Sequence, residues 1–268
     1  MELIAPHKMK LALYVLGSFA FGYNAANILH ECGHLLSGIL SGGRALGLTS
    51  HPFSWSMARV ADCRHPQFMT WGGILWSGLL GLIIFIFSYP SRSIVLFPIL
   101  LTSSLLILVN GVYFTTGTLI RAGDPADLME YGVGAPVLLV IGCACLLAGS
   151  YAAFMSVCVL RPFVDSAAGM IQVLAIPVTV YLLGLVLYHL LQNTSELVFW
   201  RSAASVGIAL VFVLSVLVAR YGARFQPPNP MGLTWNAVAI MNLLAGSLIV
   251  AQLTIFSSNY LIKGVRGN

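Results

Sequence analysis

The sequence predicts an all-α polytopic membrane protein with about seven transmembrane helices, or six if the short links at Pro90 or Gln192 are not true breaks. Three observations predict it. Of 268 residues, 59% are hydrophobic and only 8% charged, where a soluble domain carries about 25% charged residues. Mean hydropathy is +0.92. The apolar residues also fall into runs of about 20 or more, the length that crosses a hydrocarbon core.

The first run, Leu11–Leu40, exceeds what one crossing needs, so it must tilt, kink or project; Gly17 and Gly22 lie within it. Ser41-Gly42-Gly43-Arg44 ends it with helix-breaking glycines. Lys8 and Lys10 ahead of Leu11–Phe21, with Ala25 and Ala26 beyond, imitate a signal peptide. The apolar pattern continues past that point to Leu40, and we read a retained span. Residues 44 to 68 form the longest polar connection, and alternation over Ala45–Val60 predicts short strands or a hairpin at the membrane surface.

A second span covers Met69–Tyr89, opening with Trp71-Gly72-Gly73 and closed by Pro90. The third covers Ser93–Ile120 and ends at Arg121, followed by the densest acidic segment, Gly123–Glu130. Further spans fit Val133–Leu160, Ala168–Leu191, Leu197–Ala219 and Leu233–Ile262. This reading divides the chain into a three-span core, 1–132, and a C-terminal bundle of about four spans, 133–268. The sequence assigns that bundle no role.

A net charge of +5 would suggest nucleic acid in a soluble chain. Here most Lys and Arg stand at the ends of apolar runs, where they anchor helices to headgroups. No basic cluster tracks a phosphate backbone, and nucleic acid is not implied. Basic residues divide almost evenly between the two faces, so charge does not set the orientation. The five cysteines are an odd number and lack paired ligand spacing, which argues against a disulfide framework or a Cys-rich metal cluster.

Inside the first run stands His30-Glu31-Cys32-Gly33-His34. Imidazoles and a carboxylate are expensive in hydrocarbon and are kept there mainly for function. His-Glu-x-x-His on a helix is a zinc-site pattern. Positions 30 and 34 lie about 40° apart around the axis and roughly 6 Å apart along it, so both rings reach one ion. Glu31 points to a neighbouring direction and can act on water as a general base.

A catalytic zinc usually takes three protein ligands. The chain has eight acidic residues, so the search for the third is short. The histidines lie near the C-terminal end of the first span; the second span leaves that face and the third returns to it. Gly123–Glu130 therefore arrives beside the histidines, which favours Asp124 or Asp127. Glycine before Asp124 and proline after it suit a helix broken at a metal, so Asp124 is preferred, with Asp127 orienting a ligand or a ring from behind. Glu196 and His189 fall on the same face at a different hairpin and remain outsiders. Asn24 and Asn27 extend the polar lining on nearby turns, and Asn110 on the third span is either an interhelical hydrogen-bonding residue or part of the site.

These residues resemble the site-2-protease-like intramembrane zinc metalloproteases. The matching segments are Asn27-Ile28-Leu29-His30-Glu31-Cys32-Gly33-His34-Leu35-Leu36, then Ser41-Gly42-Gly43-Arg44, then Trp71-Gly72-Gly73. The resemblance runs from Leu11 to Glu130. It implies that His30, His34 and Asp124 bind Zn2+, that Glu31 activates water, and that three helices surround the metal while a partner's membrane helix is cut. Where the family has Leu-Asp-Gly, this chain has Ala122-Gly123-Asp124-Pro125. Asn110, fourteen residues before Asp124, is the nearest counterpart of the family's substrate-positioning asparagine. The sequence thus predicts a multi-pass membrane endopeptidase acting on a transmembrane protein substrate in the bilayer. Competing classes are a zinc-binding membrane scaffold or regulator without hydrolysis, and a transporter whose ion path is lined by His30, Glu31 and Asp124.

Overall fold

The computed structural model describes residues 6–52, 56–91, 93–164, 166–192 and 232–256. Helix α1 spans Pro6–Leu40, followed by strands β1, Arg44–Thr49, and β2, Met57–Ala61. Five longer helices follow: α2 Pro66–Ser88, α3 Phe97–Ile120, α5 Ala135–Cys158, α6 Ala167–Gln192 and α7 Trp235–Ala251, with the short α4, Asp124–Glu130, between α3 and α5. Among the described residues, six helices are long and apolar enough to cross a membrane. The expected span Leu197–Ala219 lies outside the described residues.

Helix ends follow local chemistry. Proline stands in the first turn of α2, α3, α4 and α5, where its missing N–H costs nothing. Thr234 caps α7 by accepting from the backbone N–H of Ala237 at 3.2 Å. Arg121 ends α3 in the left-handed region (φ 52°), and Gly123 follows at φ 64° and ψ −153°, a conformation that only glycine adopts without strain. These two residues turn the chain sharply and start α4 beneath the end of α3.

The expected strands form an antiparallel hairpin, Arg44 opposite Ala61 and Thr49 opposite Met57, with an irregularity between Ala45 and Gly47. It is the one departure from an all-helical fold among the described residues. Val60 of β2 lies against Gly38 and Gly43, so the hairpin folds back over the end of α1.

Helix α3 is the central helix, packed by α1, α2 and α5, while α6 and α7 lie along α1. One apolar core joins Val15 and Phe19 of α1, Leu101 and Leu108 of α3, Ala153 of α5, Leu174 of α6 and Met241 of α7. The core therefore draws on both sides of residue 132. A smaller cluster of Ile74, Phe114, Leu128 and Leu138 pins α4 between α2, α3 and α5. The outer surface carries Phe87, Leu147 and Leu243, which are 79%, 74% and 69% exposed. So much exposed apolar surface suits lipid rather than water, in keeping with a multi-pass membrane protein.

Candidate metal centre

His30 and His34 stand one helical turn apart on α1, their ring centroids 4.9 Å apart and nearly perpendicular. Each ring is fixed by its Nδ1. The Nδ1 of His34 is 2.8 Å from the carbonyl oxygen of Met69 on α2. A carbonyl only accepts, so Nδ1 carries a proton, and in the neutral ring Nε2 is the nitrogen left to bind a cation. The Nδ1 of His30 is 2.9 Å from Oδ1 of Asn110 on α3. That amide has one possible orientation, because its nitrogen donates to Ser77 Oγ and to the Leu106 carbonyl, both at 2.8 Å. Asn110 Oδ1 therefore accepts from His30 Nδ1, which in the neutral ring leaves Nε2 of His30 as the second nitrogen able to bind a cation.

The two Nε2 atoms are 3.2 Å apart. Oδ2 of Asp124 lies 3.2 Å from the first and 3.1 Å from the second. Burial opposes the charge on Asp124, but the positive charge and N–H donation of the His34 and His30 rings, when protonated, outweigh it and hold the carboxyl well below the usual carboxylate range. With both rings neutral, three lone pairs converge on one point, an arrangement that either a proton or a metal cation relieves. The donor set thus fits a metal ion: the ligand atoms of His30, Glu31 and His34 all lie within 4.8 Å of one another, and Asp124 Oδ2 lies against both imidazoles.

Room for an ion comes from glycine. A Cβ on Gly73 would lie 2.5 Å from both Nε2 atoms, so any side chain there would occupy the point of convergence. Gly33 and Gly72 let the backbones of α1 and α2 touch, since a Cβ on either would meet the other's carbonyl. Trp76 Nε1 donates to Ser37 Oγ at 2.9 Å across the same crossing.

Glu31 is buried, with the backbone of Ala58 on β2 facing its carboxyl group. The hairpin thereby borders the group that the motif marks as a base. Cys32 is exposed on the other side of α1. The Asp124 backbone N–H donates to the Tyr113 hydroxyl at 3.1 Å, and the Tyr113 ring stands edge-on to His30 with centroids 5.7 Å apart. Tyr113 thus holds both the aspartate turn and a histidine.

Of the residues singled out from sequence, the structure brings together His30, Glu31, His34, Asp124 and Asn110. Asn110 contacts a histidine and not open space, so its role is to orient a ring. Asp127 is exposed, and Asp124 is the carboxylate against the rings. Asn27 is half-buried one turn before Glu31, without a hydrogen bond to the site among the described residues. Side chains of His189 and Glu196 lie outside the described residues. Sequence reasoning missed Met69, Ser77, Tyr113 and Ala58, and it named Gly73 only within Trp71-Gly72-Gly73, without its place against the imidazoles. Two adjacent glycines in an apolar span were the available signal, since they mark a close approach of another group.

Comparison with family models, with curated proteins and with solved structures gives no match.

Proposed function

We propose that this chain is an intramembrane zinc-dependent endopeptidase of the site-2-protease-like kind, cutting a transmembrane or membrane-proximal peptide segment. The observation that carries the proposal is the convergence of two imidazole nitrogens and one carboxylate oxygen, with a second carboxylate alongside. Donors at 2.0–2.1 Å from a tetrahedral zinc are separated by about 3.3–3.4 Å; the separations here are 3.1 to 3.2 Å. Zinc favours this nitrogen and oxygen set and, when bound, supplies the Lewis acidity that makes water a nucleophile near neutral pH.

The protein's own groups divide the remaining work. Glu31 takes the proton of the attacking water and returns it to the leaving amine. The Ala58 backbone faces that carboxylate. Met69 and Asn110 keep both imidazoles in the tautomer that leaves Nε2 free. Asp124 neutralises charge that would be costly in hydrocarbon. The substrate helix must unwind locally before attack, because its carbonyls are hydrogen-bonded while helical.

The test uses purified protein in detergent with a fluorogenic peptide that spans a micelle. Wild type should cleave it, and Glu31→Gln should abolish cleavage while retaining metal. Bound metal with no cleavage by wild type of any membrane-embedded peptide would favour a scaffold or regulator.

A further inference from the structure

We propose that a cavity at the opposite end of α1 binds one acyl chain of an anionic phospholipid. The cavity has a volume of about 710 Å³ and is framed by Tyr14, Phe21, Ile94, Thr102, Leu233 and Met241. It lies where α1, α3 and α7 begin. Tyr14 is about 24 Å along α1 from His30, so the site is separate from the metal centre and does not rest on the protease reading.

Its chemistry favours an apolar ligand. The Tyr14 hydroxyl donates to the Ile94 carbonyl at 2.8 Å, and the Thr102 hydroxyl donates to the Pro98 carbonyl at 2.7 Å. Thr234 Oγ1 accepts from the Ala237 N–H. The Tyr14 and Thr102 hydroxyls are engaged as donors, and a slot lined mainly by hydrocarbon takes hydrocarbon.

Its shape and position select a lipid tail. The wall segments Tyr14–Phe21, Ile94–Thr102 and Leu233–Leu244 run about 10 to 16 Å along their helices, the depth of one leaflet of a core about 30 Å thick. Val95, Ile99 and Ile240 on its rim are 61%, 45% and 58% exposed, so the slot opens sideways towards lipid.

Its charge selects the headgroup. Lys10 Nζ donates to the Leu233 carbonyl at 3.2 Å and lies 5.2 Å over the Trp235 ring. Lysine and tryptophan together mark the headgroup level. The same level holds Ser93 and Thr234, which cap the first turns of their helices. A cation at the mouth of an apolar slot complements a negatively charged headgroup.

The test titrates delipidated full-length protein with phosphatidylglycerol or phosphatidylcholine and counts bound lipid by native mass spectrometry. Wild type should hold one phosphatidylglycerol in preference to phosphatidylcholine. Ala237→Phe, which fills the slot, should weaken binding by about tenfold or more. Ile240→Trp fills it from the rim and serves if the first variant does not fold. Lys10→Gln should bind both lipids alike. A benzophenone side chain placed at Ile240 should crosslink to lipid. Equal binding of both lipids by wild type, unchanged binding by the filled variants, or a crosslink to polypeptide would overturn the proposal.

Discussion

Between Leu11 and Tyr23, α1 packs mainly through large apolar side chains, with Gly17 and Gly22 giving close approach to Asn242 and Thr102; between His30 and Leu40 the same helix packs mainly through glycine and hydrogen bonds. In the first stretch, Phe19 and Tyr23 are buried and stack on each other, and both meet the Tyr181 ring of α6 at a steep angle. In the second, Gly33 backs onto Gly72, Gly38 and Gly43 receive Val60, and each histidine is held at its Nδ1 by a separate helix. Lipid tails are as apolar as leucine, so the first kind of packing needs shape but no pairing. The second needs every donor and acceptor matched, because an unpaired polar group in hydrocarbon costs several kcal/mol. Small residues bring the partners close enough to do it.

That contrast can be broken by substitution. The largest effect belongs to Glu31→Gln, which should lower the rate of peptide cleavage by about 10²–10⁴-fold with metal content unchanged, measured by turnover of a membrane-embedded peptide. Gly73→Ala should follow, with metal affinity reduced by about 100-fold or more because its methyl meets both ring nitrogens. Competition with a chelator reads this directly. Gly78→Ala on the same helix is the control, since its Cβ would find only Asn110 Nδ2, at an ordinary 3.6 Å. Its affinity should be that of wild type.

Asn110→Leu should cost about 10–100-fold in metal affinity, because His30 loses the acceptor that fixes its tautomer. The smallest effect on the site belongs to Phe19→Ala at the apolar end. It should lower the thermal unfolding midpoint while leaving metal affinity within about twofold of wild type, as expected for distant, independent positions. A large loss of metal in that variant would mean that the two ends are coupled.

Much of the site was legible because its spacing is helical. His30 and His34 share a face by periodicity, Glu31 follows from the motif, and Asp124 follows from counting crossings. The hairpin over Arg44–Ala61 was legible from alternation, and the described helices fall where the apolar runs do. What holds the site was less legible. The Met69 carbonyl is a backbone group and leaves no mark in the sequence. Asn110 was visible as a polar residue in a span, but its partner was not, since eighty residues separate it from His30. The same holds for Gln252, whose side chain donates to Ser50 Oγ from the far end of the chain. A division at residue 132 reads naturally from the order of motifs, yet buried apolar residues pair across it, because a bilayer lets late helices pack wherever a face is free.

The most direct measurement is metal content per chain, by elemental analysis of purified wild type, His30→Ala and Asp124→Ala. We expect one zinc per wild-type chain and its loss in both variants, with Asp127→Ala retaining it. Wild type without stoichiometric metal, or Asp124→Ala that holds it as tightly, would contradict a centre built from two imidazoles and this carboxylate.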